Sequence, residues 1–154
     1  MYSKSVEDYL EAIYNIISGK GGKGYARTKD IAEKLGVTSP SVSAMLKKLQ
    51  NDDLVFYERY GSVTLTHKGK KIAKVVKHRH DTLKKLLETI YVSEDAAERD
   101  ACKLEHDISP ESITQLKNFV KFIETHQIHP EWLDHFKTFC ETGEYECKKL
   151  KDKR

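Results

Sequence analysis

Six side chains in this sequence are of the types that hold a divalent transition metal, and their spacing places them on three helical faces. Asp8 and Glu11 stand three apart, so at 100° per residue they share a face. That face lies nearly opposite the apolar positions Val6, Leu10, Ile13 and Ile17, which cluster within about 60° of one another. His80 falls about 80° from the middle of the apolar stripe of a later, longer helix, at its edge, whereas His78 lies well round on the solvent side. In Cys102-Lys103-Leu104-Glu105-His106 a thiol, a carboxylate and an imidazole at i, i+3 and i+4 share one face beside Ala97, Ala101 and Leu104. Carboxylate oxygens, imidazole nitrogens and one thiolate suit Mn²⁺, Fe²⁺, Co²⁺ or Zn²⁺ rather than Ca²⁺ or Mg²⁺. Taken singly, each has a plainer explanation: two acids favoured by a helix start, a surface histidine, a chance triplet. Their weight comes from company. A second, C-terminal set is His126 and His129 followed by Cys140 and Cys147, a candidate structural Zn²⁺ site. Its cysteines are further apart than the usual two to four residues, and His135 offers a competing ligand.

A second group of residues points to nucleic acid. A helix carrying Val6 to Ile17 is followed by a glycine-rich break at residues 19–24 and a short helix from about Thr28 to Leu35, stopped by Gly36. The turn Gly36-Val37-Thr38 leads into a third helix, where Ser39 is expected to cap, Pro40 to take the first helical position, and Val42, Met45, Leu46 and Leu49 to face inward. Between Leu54 and Thr66 the pattern turns β-branched and aromatic on either side of Tyr60-Gly61, as in a small hairpin. Helix, helix, short turn, helix and hairpin is the order of a winged helix-turn-helix. The third helix then projects Ser39, Pro40, Ser41 and Ser43 towards base edges, with small hydroxyls for bases or phosphates and the proline ring for thymine methyls. Thr28 and Thr38, at the starts of the second and third helices, join this surface, and Arg27, Lys29, Lys47 and Lys48 flank it. Arg59, at the hairpin tip, is set for a backbone or minor-groove contact.

The rest of the chain must position these groups. The helical period returns beyond Gly69 in a connecting helix of about 70–91, then in three shorter stretches marked by Ala97 to Ile108, Ile113 to Ile123 and Trp132 to Phe139. The fold class is therefore mainly α: a winged helix-turn-helix over residues 1–70, a helical metal-binding and dimerisation domain over 71–145, and a basic tail over 146–154. The apolar stripes between Ser93 and Ile123 exceed what so small a domain can hide within itself, so a homodimer is expected. A net charge of +3 over 154 residues is far from the charge of a protein that binds nucleic acid by attraction alone. Three cysteines, an odd set, and the lack of an opening signal sequence favour a reduced cytoplasmic setting, and no apolar run approaches membrane-spanning length.

Five segments carry a resemblance: Val6-Glu-Asp-Tyr-Leu-Glu-Ala-Ile-Tyr14, Asp30-Ile-Ala-Glu-Lys-Leu35, Leu65-Thr-His-Lys-Gly-Lys-Lys71, Arg79-His80 and Leu104-Glu-His106. From Val6 to Phe139 the chain resembles the diphtheria-toxin-repressor family of iron- and manganese-dependent regulators, above all its short manganese transport branch. The resemblance implies that Asp8, Glu11, His80, Glu105 and His106 are metal ligands. At Cys102 the manganese branch usually has glutamate, whereas the iron branch has cysteine together with methionine in place of Asp8, so this chain mixes the two patterns. The hard Asp8 favours Mn²⁺ and the softer Cys102 favours Fe²⁺, Co²⁺ or Zn²⁺. It further implies repression of metal-uptake genes by a homodimer on a pseudo-palindromic operator. Two other readings are a winged-helix regulator whose Cys102 senses oxidants and a metal-dependent hydrolase. The sequence has no nucleophile elbow, His-Glu-x-x-His or phosphate-binding loop, which speaks against the second.

Overall fold

The computed structural model describes residues 2–19, 23–58, 61–125 and 131–144. The chain forms two compact units that divide between His80 and Asp81. The first unit contains α1 (Lys4–Ser18), β1 (Ala26–Arg27), α2 (Thr28–Leu35), α3 (Ser39–Asn51), β2 (Val55–Tyr57), β3 (Ser62–Leu65) and the first half of α4 (His67–Thr89). The second contains the rest of α4, α5 (Glu94–Leu104), α6 (Pro110–Thr125) and α7 (Glu131–Thr142). No helix among the described residues is long and apolar enough to cross a membrane.

The first unit is a winged helix-turn-helix with a core drawn from every one of its elements, including Leu10 and Ile13 of α1, Ile31 of α2, Leu46 and Leu49 of α3, and Val55 and Val63 of the sheet. The helix boundaries follow local chemistry. Gly36 ends α2 in the left-handed conformation at φ 65°, where only glycine avoids a Cβ penalty. The cap of α3 is not the expected Ser39 but Thr38, whose Oγ1 accepts from the Ser41 N–H at 3.4 Å. Pro40 thus sits one place further into the helix than its sequence suggests, still among the first N–H positions that no carbonyl would have paired.

The sheet has three strands rather than the two of a simple hairpin, in the order β1-β3-β2. β1 is only two residues, Ala26 opposite Val63 and Arg27 opposite Ser62, too short to show an alternation in sequence. Its pairing ties the start of α2 to the wing, where Thr28 N–H also donates to the Gly61 carbonyl at 3.3 Å.

The connecting helix begins at His67, earlier than its apolar stripe would place it, because Thr66 organises the turn. The Thr66 hydroxyl donates to the Asp53 carbonyl at 2.8 Å and accepts from the Gly69 N–H at 3.0 Å, while Thr66 N–H donates to the Leu54 carbonyl at 3.1 Å. This brings the backbones of Gly69 and Leu54 so close that a Cβ at 69 would overlap the Leu54 carbonyl oxygen and lie 2.9 Å from its carbon. Gly69→Ala is therefore expected to force the α3–β2 turn and α4 apart, costing roughly 2–4 kcal/mol by overpacking. Thermal unfolding should show the midpoint lowered by about 10 °C or more; an unchanged midpoint would mean that the turn yields freely.

In the second unit Leu83, Ala97, Ala101, Val120, Ile123 and Leu133 are buried. Tyr91 closes α4 at φ 66°, a costly conformation for a side chain of its size. It is held there by its ring, stacked on Phe136 with centroids 6.2 Å apart, and by its hydroxyl, which donates to the Leu133 carbonyl at 3.3 Å. Helix α5 stops at Leu104, so Glu105 and His106 occupy the turn after it rather than the helix itself. The helical path continues one residue further: Glu105 keeps helical angles and its N–H donates to Ala101 at 3.0 Å. Leu104, Phe119, Phe122, Trp132 and Phe139 remain substantially exposed, a supply of apolar surface on α5, α6 and α7.

Candidate metal centre and nucleic-acid face

Each unit carries some of the candidate metal ligands. In the first, the face of α1 that points away from the Val6, Leu10 and Ile13 stripe is not left to solvent. Glu7 and Glu11 are buried at 5% and 8% exposure, and Asp8 is half-buried. The neighbour is α4. Arg79 Nη1 lies 3.6 Å from Glu7 Oε2 as a largely shielded ion pair, and one residue later His80 brings a ring nitrogen within 4.8 Å of a Glu11 carboxylate oxygen. His80 is 3% exposed, far more enclosed than a position at the edge of an apolar stripe would suggest. His78 is exposed, as its position on the helix implied.

In the second unit Glu105 and His106 are 1% and 5% exposed, with Glu105 Oε1 3.3 Å from His106 Nε2. A carboxylate oxygen and an imidazole nitrogen at that distance are two atoms of the types that ligate a divalent transition metal. Cys102 is exposed on α5. Sequence reading missed Glu98, four residues before it, whose carboxylate lies within 4.8 Å of the Cys102 thiol. The i, i+4 spacing was there to be seen. Glu98 also accepts from Lys84 at 2.9 Å, and Glu94 and Glu88 lie 3.6 and 3.9 Å from the same ammonium, which raises the Lys84 pKa. The donor set fits a borderline transition ion: the buried groups are carboxylates and imidazoles, and the only soft ligand, the Cys102 thiol, is at the surface. His126, His129 and Cys147 lie outside the described residues, and Cys140, their proposed companion, is exposed on α7.

The candidate nucleic-acid face lies on α3. Thr38, Ser39, Pro40 and Ser41 at its start are all exposed, as are Lys47 and Lys48 further along. Thr38 and Ser41 share a hydroxyl–hydroxyl hydrogen bond of 2.9 Å, so their side chains are held in place before any contact. Ser43 differs from its neighbours. It is half-buried, and the Tyr57 hydroxyl of β2 donates to it at 3.5 Å. Hydrogen bonds to Ser43 and then to Thr28 lower the Tyr57 pKa, so one phenol links wing, recognition helix and the start of α2. Arg27 is exposed over the Tyr25 ring, 5.9 Å from its centroid, and its N–H donates to Asp30 at 3.3 Å. The Arg27 guanidinium donates to the Tyr25 hydroxyl at 3.4 Å, and this hydrogen bond and then the Arg27 charge lower the Tyr25 pKa. Arg59 lies outside the described residues.

Comparison with known proteins agrees with this organisation. Residues 1–63 match the family described as iron dependent repressor, N-terminal DNA binding domain, and residues 66–134 match its metal binding and dimerisation domain. The HTH-type transcriptional regulator MntR of Bacillus subtilis (strain 168) is 42% identical over 124 residues, which are 80% of this chain and 85% of that protein. Among solved structures, the manganese regulator SloR is 33% identical with a TM-score of 0.64, over 76% of this chain and 54% of that one. A manganese-dependent transcriptional repressor in complex with manganese is 28% identical with a TM-score of 0.69, over 76% and 53%. The chain thus spans about half the length of these two solved structures.

Proposed function

Because the chain belongs to the iron-dependent, diphtheria-toxin-type repressor family of metal-dependent DNA-binding transcription regulators, we propose that it is a manganese- or iron-responsive repressor of metal-uptake genes. It acts in the cytoplasm as a homodimer on a pseudo-palindromic operator. The observation that carries this reading is the burial of Glu11, His80, Glu105 and His106, four groups of the types that ligate transition metals.

On this reading Asp8, Glu11 and His80 from the winged-helix unit, and Cys102, Glu105 and His106 from the helical unit, hold one metal centre. Mn²⁺ or Fe²⁺ is the cognate ion, and Co²⁺ or Zn²⁺ can substitute. Bound there, a divalent cation supplies the positive charge that lets carboxylates of both units share a site. Residues 1–70 supply the DNA contacts and 71–145 the dimer contacts, with exposed Leu104 and Phe122 among the apolar surface that a second copy would cover. Arg27, Lys47, Lys48 and Arg59 meet phosphates. Thr28, Thr38, Ser39, Pro40, Ser41 and Ser43 approach the bases, and Ser43 also accepts from Tyr57, which ties the helix to the wing.

The experiment is selection of duplexes from a random library by the full chain, with excess Mn²⁺ and with chelator. The expected product in Mn²⁺ is an inverted repeat whose half-sites are centred about one helical turn, roughly 10 base pairs, apart or a multiple of it. Recovery of the same sequences with chelator, or of unpaired half-sites, would contradict the reading. Within the selected site, Lys47→Ala should weaken binding to all sequences alike and lower the salt slope by about 1, whereas Pro40→Ala should change the base preference.

A further inference from the structure

The winged-helix unit is much more basic than the whole chain. Up to His80, fifteen Lys and Arg stand against eight Asp and Glu, a formal charge of +7, and the rest of the chain carries −4. Six of those fifteen cations lie in residues 67–80, the first half of α4, which contain no carboxylate at all. Apart from these six, the unit would be close to neutral.

They are also ordered in space. His67, Lys70, Lys71 and Lys74 recur at i, i+3, i+4 and i+7 and line a cleft of about 300 Å³. At 100° per residue this face lies opposite the buried Ala73 and Val76. Lys70, Lys71 and Lys74 are exposed and make no ion pair among the described residues. Neighbouring like charges on a helix face repel one another, and cations near the first turn oppose the helix dipole. No acidic residue stands in the first turn of α4 to offset them. The face is thus electrostatically strained along two turns. Its base is tied to the end of α3, since Lys68 Nζ donates to the Asp52 carbonyl at 3.0 Å.

We propose that the Lys70, Lys71 and Lys74 face of α4 is a second DNA-contact surface, which binds backbone phosphates flanking the site read by α3. The inference rests on the DNA-binding function above, and the occupant follows from charge complementarity: a regular polyanion relieves a stripe of like charges that the described residues leave without an ion pair. The contact is independent of sequence, so it adds affinity and salt dependence without changing base preference.

The test is the metal-loaded full chain carrying Lys70→Gln, Lys71→Gln and Lys74→Gln together, titrated with mixed-sequence duplexes of about 16 and 40 base pairs over a range of KCl. Lys47→Gln serves as the control on the recognition helix, and circular dichroism checks the fold of each variant. With the longer duplex the triple variant should lose about 2–3 units of salt slope, roughly 0.9 per lost phosphate contact, and roughly tenfold or more in affinity at low salt. With the shorter duplex it should match the parent. A salt slope equal to the parent's with both duplexes, while Lys47→Gln weakens binding, would overturn this inference and leave the DNA-binding function standing. A parent chain without salt-dependent duplex binding would overturn both.

Discussion

Asp8→Ala is expected to remove most of the metal stimulation of DNA binding while leaving the fold and the dimer intact. Asp8 is half-buried on α1 and lies outside the Val6, Leu10 and Ile13 stripe that holds the winged-helix core, so its loss opens no cavity among those residues. In the proposed centre it is one of the ligands by which the DNA-binding unit senses the ion, and the remaining ligands on the helical unit, Glu105 and His106, can still bind metal without passing the information on. A coupling of roughly 1–3 kcal/mol corresponds to about a 5- to 150-fold metal effect on DNA affinity, and Asp8→Ala should reduce that factor towards one. Direct metal binding, followed by calorimetry, should survive at lower affinity. Full metal stimulation in Asp8→Ala would remove Asp8 from the centre.

Cys102→Glu is expected to re-rank the metals. The thiol stands at the surface of α5, where a longer carboxylate can be accommodated without repacking, and Glu98 lies within reach on the same face. Exchanging a soft sulfur for a hard oxygen should improve the response to Mn²⁺ relative to Zn²⁺ or Co²⁺, by roughly the 10- to 100-fold that changes around a metal site commonly produce. Titrations of each ion monitored by DNA binding would show it. An unaltered ranking would make Cys102 a bystander and place the site on Asp8, Glu11, His80, Glu105 and His106 alone. The same variant separates metal sensing from oxidant sensing: a regulator that responds to peroxide through this thiol would lose that response, whereas a metal sensor has none to lose.

Much of this arrangement is legible in the sequence because it is local. Helix α2 runs from Thr28 to Leu35 as its amphipathic stripe and Gly36 imply, since a left-handed stop and a buried face are properties of a few neighbouring residues. The three-residue turn and α3 follow for the same reason. What sequence reading misses depends on partners distant in the chain. β1 exists only because Ala26 and Arg27 pair with β3. The early start of α4 comes from hydrogen bonds between Thr66 and the Asp53–Leu54 turn. The candidate site divides in the same way. The types and spacings of Asp8, Glu11 and the Cys102 to His106 cluster are visible in the chain, but the deep burial of His80 is not, because it depends on side chains distant in the chain, Glu11 among them. The hydrogen bond that Ser43 accepts from Tyr57, fourteen residues on, is likewise not visible in the chain.

The most direct test of metal-linked DNA binding is reciprocity in one system. The affinity of the full chain for the selected duplex is measured with saturating Mn²⁺ and with chelator, and the affinity for Mn²⁺ is measured by calorimetry with and without that duplex. Linkage requires one factor in both directions, and the expected value lies between about 5 and 150. Equal DNA affinities with and without metal, or a metal affinity unmoved by DNA, would contradict the account.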